Sequence, residues 1–246
     1  MHSFREWKGL LLMETDKCSM AKRTLSSVCP TGVEDLDLIL GGGLPRGSLS
    51  ILMGEMGSGR SSLSYEFLRH GADAGERGAL LSSLPRKLYL DRLPSFDFAG
   101  EKPLDGITMV EFSPEDASFE EGYMILMEEL VKRVNSGRVK RLVVDSVEQP
   151  LAWVPPATAS RGLRRLQEAL YRKKATAILV CGAVGEDRLQ AADCVLSMRM
   201  SRLRGGTFRT FEVLRLRGGT QPLGVYALTL GKEGMLLTRM LEGSDV

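Results

Sequence analysis

Ser48-Leu49-Ser50-Ile51-Leu52-Met53, followed by Gly54-Glu55-Met56-Gly57-Ser58-Gly59-Arg60-Ser61-Ser62, is the stretch that decides the fold class of this 246-residue chain. A short apolar run opens into a glycine-rich turn, and Ser61 to Arg69 continues with helix-compatible spacing, giving strand, loop and helix in succession. From Gly54 to Ser61 the residues match the phosphate-cradling pattern G-x-x-x-x-G-K-[ST] at every fixed position except the lysine, which is Arg60. Glycines let successive backbone N–H groups curl around phosphate oxygens, and the helix that follows adds its positive N-terminal end. The candidate binding residues are therefore Gly54, Glu55, Met56, Gly57, Ser58, Gly59, Arg60, Ser61 and Ser62, with the Ser61 hydroxyl offered to Mg2+. Arginine keeps the charge but is longer, planar and forked, so it cannot set a compact ammonium between two phosphates as lysine does. Taken alone, the octapeptide also reads as a plain glycine-rich turn before a helix.

Further short apolar runs at Gly78 to Ser82, Ile107 to Val110, Leu142 to Val144 and Ala177 to Val180 are separated by stretches long enough for crossover helices. Leu163, Leu166 and Leu170 share one face of such a helix, with Arg164, Arg165 and Arg172 off it, so that face should cover a sheet. The implied architecture is α/β, a mainly parallel sheet flanked by helices on both faces. After Asp193, segments around Gly205-Gly206, Gly218-Gly219 and Gly231 read as antiparallel hairpins that extend one side of it. Arg141-Leu142-Val143-Val144-Asp145 has the form of a strand delivering a carboxylate to the sheet edge that holds the phosphate loop, where Asp145 would help to hold Mg2+. Any buried strand ending in Asp fits that pattern, and the spacing of roughly 85 residues after the loop makes the pair more persuasive than either part.

Composition narrows the classes. Lys and Arg number 33 against 31 Asp and Glu, with 43% apolar residues, which excludes a polyanion-coating protein and a disordered tail. The longest apolar runs, such as Leu10-Leu11-Leu12-Met13, fall far short of the roughly 18 residues of a membrane span. Cys18, Cys29, Cys181 and Cys194 stand apart without metal-ligand spacing, which fits a reducing cytoplasm. Charge is unevenly laid out. Arg199 to Gly218 carries Arg199, Arg202, Arg204, Arg209, Arg215 and Arg217 against Glu212 alone, whereas Glu111 to Glu129 carries seven acids and no base.

Thr31-Gly32, Leu36-Asp37, Leu40-Gly41-Gly42-Gly43-Leu44-Pro45 and Gly47, leading straight into the phosphate loop, resemble the KaiC-like branch of the RecA-type P-loop ATPases. The resemblance runs on through Gly78-Ala79-Leu80-Leu81, Asp145-Ser146, Ala192-Asp193 and Arg215-Leu216-Arg217-Gly218, covering roughly Pro30 to Leu237. It divides the chain into an N-terminal extension, residues 1–29, and a nucleotide-binding domain, residues 30–246. It implies a RecA-like fold, ATP with Mg2+, and an assembly in which Arg215 and Arg217 contact the nucleotide of a neighbouring subunit.

Departures from the family pattern matter equally. Where active members carry paired glutamates after the second strand, one of which polarises water, this chain reads Leu84-Pro85. The strand ending at Val180 leads into Cys181-Gly182 where polar residues are expected, and the neighbour-contacting motif ends in Gln221 in place of histidine. Glu148 reads as a surface-loop glutamate, with substitution for the missing base as the alternative, and Glu55 is able to point outward. Phosphoryl transfer depends mainly on positioning and electrostatics, so binding can outlast turnover. The expected function is an ATP-binding regulatory or scaffold protein with weak or absent hydrolysis, forming a homo-oligomer or a hetero-oligomer with a related ATPase. The alternatives are an active ATPase and a recombination accessory that binds single-stranded DNA through the arginine-rich stretch.

Overall fold

A computed structural model describes residues 27–92, 96–113, 115–116, 119–203, 206–219 and 224–240. The expected sheet is present. Strands β1 (Val28–Cys29) and β2 (Leu44–Pro45) form a small antiparallel pair around helix α1 (Glu34–Ile39). The main sheet follows with β3 (Leu49–Gly54), β4 (Gly78–Ser82), β5 (Ile107–Glu111), β6 (Arg141–Asp145), β7 (Thr176–Cys181), β8 (Cys194–Leu203), β9 (Gly206–Leu216), β10 (Tyr226–Gly231) and β11 (Gly234–Arg239). Their order is β11-β10-β9-β8-β3-β7-β6-β4-β5; β8 through β5 run parallel and β9, β10 and β11 are antiparallel additions at one side.

The helices are α2 (Arg60–Asp73), α3 (Arg86–Arg92), α4 (Glu120–Asn135), α5 (Glu148–Trp153), α6 (Pro156–Lys173) and α7 (Glu186–Leu189). Strands covered on both faces need apolar residues at every position rather than at alternate ones, which is why these runs are continuous. The two-residue period then sorts them: Leu52, Leu80, Val143 and Ile178 pack with Leu63, Phe67 and Leu68 of α2 on one face. Ile51, Leu81, Leu142 and Leu179 pack with Leu126 and Leu130 of α4 and Leu163, Leu166 and Leu170 of α6 on the other. Arg164, Arg165 and Arg172 stay exposed, as the helical spacing requires. Among the described residues no helix is long and apolar enough to cross a membrane.

Val28 and Cys29, at the end of the 1–29 segment, belong to β1; residues 1–26, with Cys18, lie outside the described residues, as do Arg204 and Gln221. Cys29, Cys181 and Cys194 are buried and form no disulfide among the described residues.

Candidate nucleotide site

Parallel strands direct their C-terminal ends to one edge of the sheet, and the loops there make the crevice in which α/β proteins bind ligands. Gly54 ends β3, Asp145 ends β6 and Cys181 ends β7, which lies between them. Glu55, Met56 and Gly57 are exposed at the tip of the phosphate loop, Ser58 is buried beneath it, and Gly59 caps α2. Gly59 has φ of +103°, a left-handed conformation open to glycine, and it turns the chain so that Arg60 and Ser61 begin the helix. The amides of that first turn have no intrahelical acceptor and face the crevice mouth, the arrangement that receives an anion.

Ser61 donates its hydroxyl to Asp145. Burial pushes the Asp145 carboxyl above its ordinary value, against the opposing pull of the Ser61 bond and the Arg60 charge. A hydroxyl and a carboxylate brought together in this way are hard oxygen donors of the kind that hold Mg2+ beside phosphates. The cradle and this oxygen pair fit a magnesium nucleotide.

Arg60 fits differently. Its guanidinium donates to the Cys181 carbonyl and lies 3.5 Å from the Glu148 carboxylate. Glu148 is not a loop residue; it opens α5, and its carboxylate packs against Gly182 so closely that a Cβ there would stand 2.3 Å from Oε1. Gly182 thus makes room for the counter-charge of Arg60. Glu55 points outward, as its position in the loop allows. Leu84 is half-buried and packs against the core, held by its N–H bond to the Ser82 hydroxyl at 3.0 Å; no carboxylate stands at that position or at Pro85.

Two features of this edge were not read from the sequence. Arg209 of β9 donates through Nε to the Gly57 carbonyl at 2.8 Å, bracing the loop from the same chain. The Arg60–Glu148 pair is the other, and its signal was present: an arginine replacing lysine needs a partner, and Glu148 lies three residues past Asp145.

The arginine-rich stretch does not form one stripe. Antiparallel pairing sets Arg199 opposite Thr210 and Arg209 opposite Met200, beyond the Gly54–Met198 level of the phosphate loop. Arg215 stands opposite Val195, level with Ile51, and the Arg217 N–H bonds to the Asp193 carbonyl, whose own N–H bonds to Leu49. Arg215 and Arg217 are thus near the opposite edge. Arg215 donates to the Leu189 carbonyl and Arg217 to the Gln190 carbonyl, each at 2.7 Å.

A phosphate loop after β3, an acid at the end of β6 and antiparallel C-terminal strands on a parallel sheet define a RecA-like P-loop domain. Residues 29–241 match the KaiC ATPase family model, and the chain belongs to that family, the KaiC-like branch of the RecA-type P-loop ATPases. It is 28% identical over 223 residues to circadian clock protein KaiC2 of Synechocystis sp., covering 84% of this chain and 39% of that protein. It is 25% identical over 228 residues to a UPF0273 protein of Aeropyrum pernix, covering 84% of this chain and 92% of that one. DNA repair protein RadA of Mycobacterium tuberculosis is 43% identical over 54 residues, 22% of this chain and 11% of RadA. The chain thus spans about two fifths of KaiC2 and nearly all of the UPF0273 relative.

Proposed function

We propose that this chain is an ATP-binding regulatory or scaffold protein of the KaiC-like family, with weak or absent hydrolysis. The observation that carries the reading is the engagement of Arg60 with Glu148 and the Cys181 carbonyl beside a complete backbone cradle. Residues Gly54 to Ser62 would hold the phosphates of ATP or ADP, and Ser61 and Asp145 would hold Mg2+, which supplies charge neutralisation when bound. Phosphoryl transfer needs a group to orient water and cations aimed at the moving phosphate. Leu84 supplies no base, and a guanidinium shared with a carboxylate gives less stabilisation to developing charge than a free ammonium.

Arg215 and Arg217 belong to the same reading as contacts to the nucleotide of an adjacent subunit, in a homo-oligomer or a hetero-oligomer with a related ATPase. Their place near the far edge of the sheet supports a role in trans, because the phosphate loop of their own chain lies at the other end of the strands. A head-to-tail contact of this kind is heterologous and closes into a ring or continues as a filament.

One observation favours a second reading, an active ATPase: Glu148 faces the phosphate loop next to Arg60, where a displaced carboxylate would be able to orient water. Calorimetry with ATP and ADP, with and without Mg2+, alongside steady-state phosphate release, decides between them. Binding with near-zero release is expected. Absence of binding at millimolar nucleotide in a folded protein would overturn the site, and robust release abolished by Asp145→Ala would establish the active enzyme.

A further inference from the structure

Gly57, at the tip of the phosphate loop, accepts at its carbonyl the 2.8 Å bond from Nε of Arg209, 152 residues later in the chain. We propose that Arg209 is a positioning residue for nucleotide binding: by holding that carbonyl it keeps the loop preset for phosphate, and it thereby ties nucleotide affinity to the β8–β9 strand pair. The inference deepens the nucleotide-binding reading above and rests on it.

The pleat of the sheet explains why Arg209 reaches the loop. Phe211 and Val213 belong to the core that packs against α2, and two-residue alternation carries Arg209 onto the same face, opposite Leu228 of β10. Arg209 is also opposite Met200 of β8, two residues or about 7 Å past Met198, whose partner Gly54 ends β3. At that level β3 has already turned into the phosphate loop. The side chain therefore meets loop backbone where a neighbouring strand would otherwise lie. Arg199, opposite Thr210, takes the other face of the sheet.

What the bond does follows from how the loop is held. Packing fixes its inner part: Ser58 is fully buried, and its Oγ lies 2.8 Å from where a Cβ at Gly54 would stand. The tip is held differently. Glu55, Met56 and Gly57 are exposed, and a Cβ added at Gly57 would meet nothing within 4 Å, so packing does not fix it. In a trans peptide the carbonyl and the following N–H point to opposite sides, so fixing the Gly57 carbonyl also fixes the Ser58 N–H. That N–H donates to the Glu55 carbonyl at 3.2 Å and closes the tip as a turn. A loop ordered before its ligand arrives loses less conformational freedom on binding, and the difference appears as affinity. Arg60 is drawn toward Glu148 and the Cys181 carbonyl, so the backbone cradle carries more of the phosphate binding and its order matters more.

The test compares the unmodified full chain with Arg209→Ala, Arg209→Lys and Arg199→Ala. Hydrogen exchange of the nucleotide-free proteins follows the loop, calorimetry with Mg-ADP and with Mg-ATP follows affinity, and a melting curve follows the fold. Arg209→Ala should speed exchange at residues 55–58 about 10-fold while β3 and α2 stay unchanged. It should weaken both nucleotides by a similar factor of about 10, the low end for one charge-assisted hydrogen bond. Arg209→Lys keeps a cationic donor and should recover part of both effects. Arg199→Ala removes the same charge from the other face and should match the unmodified chain. If Arg209→Ala weakens ATP alone and loop exchange is unchanged, Arg209 contacts the terminal phosphate directly and the positioning role falls. Equal losses in Arg199→Ala and Arg209→Ala would trace the effect to the summed charge of the strand pair and would also overturn it. Faster exchange throughout the chain with a lowered melting temperature would make Arg209 a general support of the fold, with the same result. Unchanged affinity in Arg209→Ala, when the unmodified chain binds nucleotide, removes this inference and leaves the binding reading intact. An unmodified chain that binds neither nucleotide removes both.

Discussion

At the phosphate-loop edge of the sheet Arg60 lies beside a carboxylate, 3.5 Å from Glu148, whereas near the far edge Arg215 and Arg217 are held by the neutral carbonyls of Leu189 and Gln190. The two arrangements use the same side chain to opposite ends. A carboxylate cancels the field that a guanidinium presents to an incoming anion, while a carbonyl fixes its position and leaves its charge available. Arg60 in the nucleotide cradle is thus partly neutralised within its own chain, whereas Arg215 is held by a neutral carbonyl and Arg217 has the Asp193 carboxylate no nearer than 3.9 Å. An ATPase concentrates cations where the transferred phosphate moves; here Arg215 and Arg217 lie near the other edge of the sheet.

A fourth arginine marks the limit of the compensated kind. Arg141, with its side chain 1% exposed, donates through Nε to Glu76 at 2.6 Å and through Nη1 to the carbonyls of Pro30 and Phe67 at 2.7 Å. Glu76 also accepts from Arg46 at 2.7 Å. Burial would raise the Glu76 carboxyl, but the two arginines overcome it and hold it below its ordinary value. Glu76→Ala leaves a buried guanidinium without its counter-ion and should destabilise the fold by about 3 kcal/mol in urea unfolding. This is the largest effect expected. Because the folded value is depressed, the contribution is present at neutral pH and is lost as pH falls through that lowered value. An unchanged urea midpoint in the variant would show that the carbonyls alone satisfy Arg141.

The next effect tests whether the phosphate-loop edge is impaired for the reasons given. Arg60→Lys combined with Leu84→Glu restores a compact ammonium and a carboxylate at the strand end. Phosphate release should rise about 100-fold, the lower end of what a positioned general base supplies. Leu84 packs against the core, so a melting curve of the double variant accompanies the assay. No increase in a folded double variant would mean that the block lies elsewhere.

Much of the fold was legible because a sheet buried on both faces forces continuous apolar runs: the run at Gly78 to Ser82 is β4 residue for residue, and Asp145 stands at the end of β6 as its pattern required. The antiparallel extension was legible from its glycine-marked turns. What the sequence did not reveal was tertiary pairing of charge. Arg141 read only as the start of a strand, since nothing local identifies its ion partner 65 residues earlier. Glu148 read as a loop residue because its partner Arg60 and its close neighbour Gly182 are brought to it by three different strand ends. The arginine-rich stretch looked like one surface, yet antiparallel pairing of β8 and β9 sends its members to opposite ends of the strands.

A smaller effect concerns a carboxylate on α2 that no arginine compensates. Glu66 is buried, its Oε2 has no hydrogen-bond partner, and burial pushes its pKa up to about 7, with the Met235 N–H opposing and the Asp37 charge adding. Its folded value is raised, so the folded state holds the proton more tightly than the unfolded chain. Stability should therefore increase as pH is lowered from 8 through 7 toward the ordinary glutamate range. Glu66→Gln should flatten that slope, read as a melting temperature several degrees less sensitive to pH. A slope unchanged by the substitution would remove Glu66 as its source.

The smallest effect bears directly on the comparison between the edges. Glu148 is half-exposed, at 51% of its side chain, and exposed ion pairs contribute only about 0.2–1 kcal/mol. Glu148→Gln keeps the shape that fills the space beside Gly182 but removes the charge, so Arg60 is freed to attract phosphate. ATP affinity should rise about 2- to 5-fold, and the gain should shrink at high salt because screening weakens the attraction. The same variant separates the two functional readings by its second readout. If Glu148 only neutralises Arg60, the low rate of phosphate release stays low in the variant; if it orients water, release falls by about 100-fold or more while affinity still rises. Affinity unchanged in the variant would mean that the Cys181 carbonyl holds Arg60 on its own, and the two edges would then differ in the direction their arginines face rather than in how their charge is balanced.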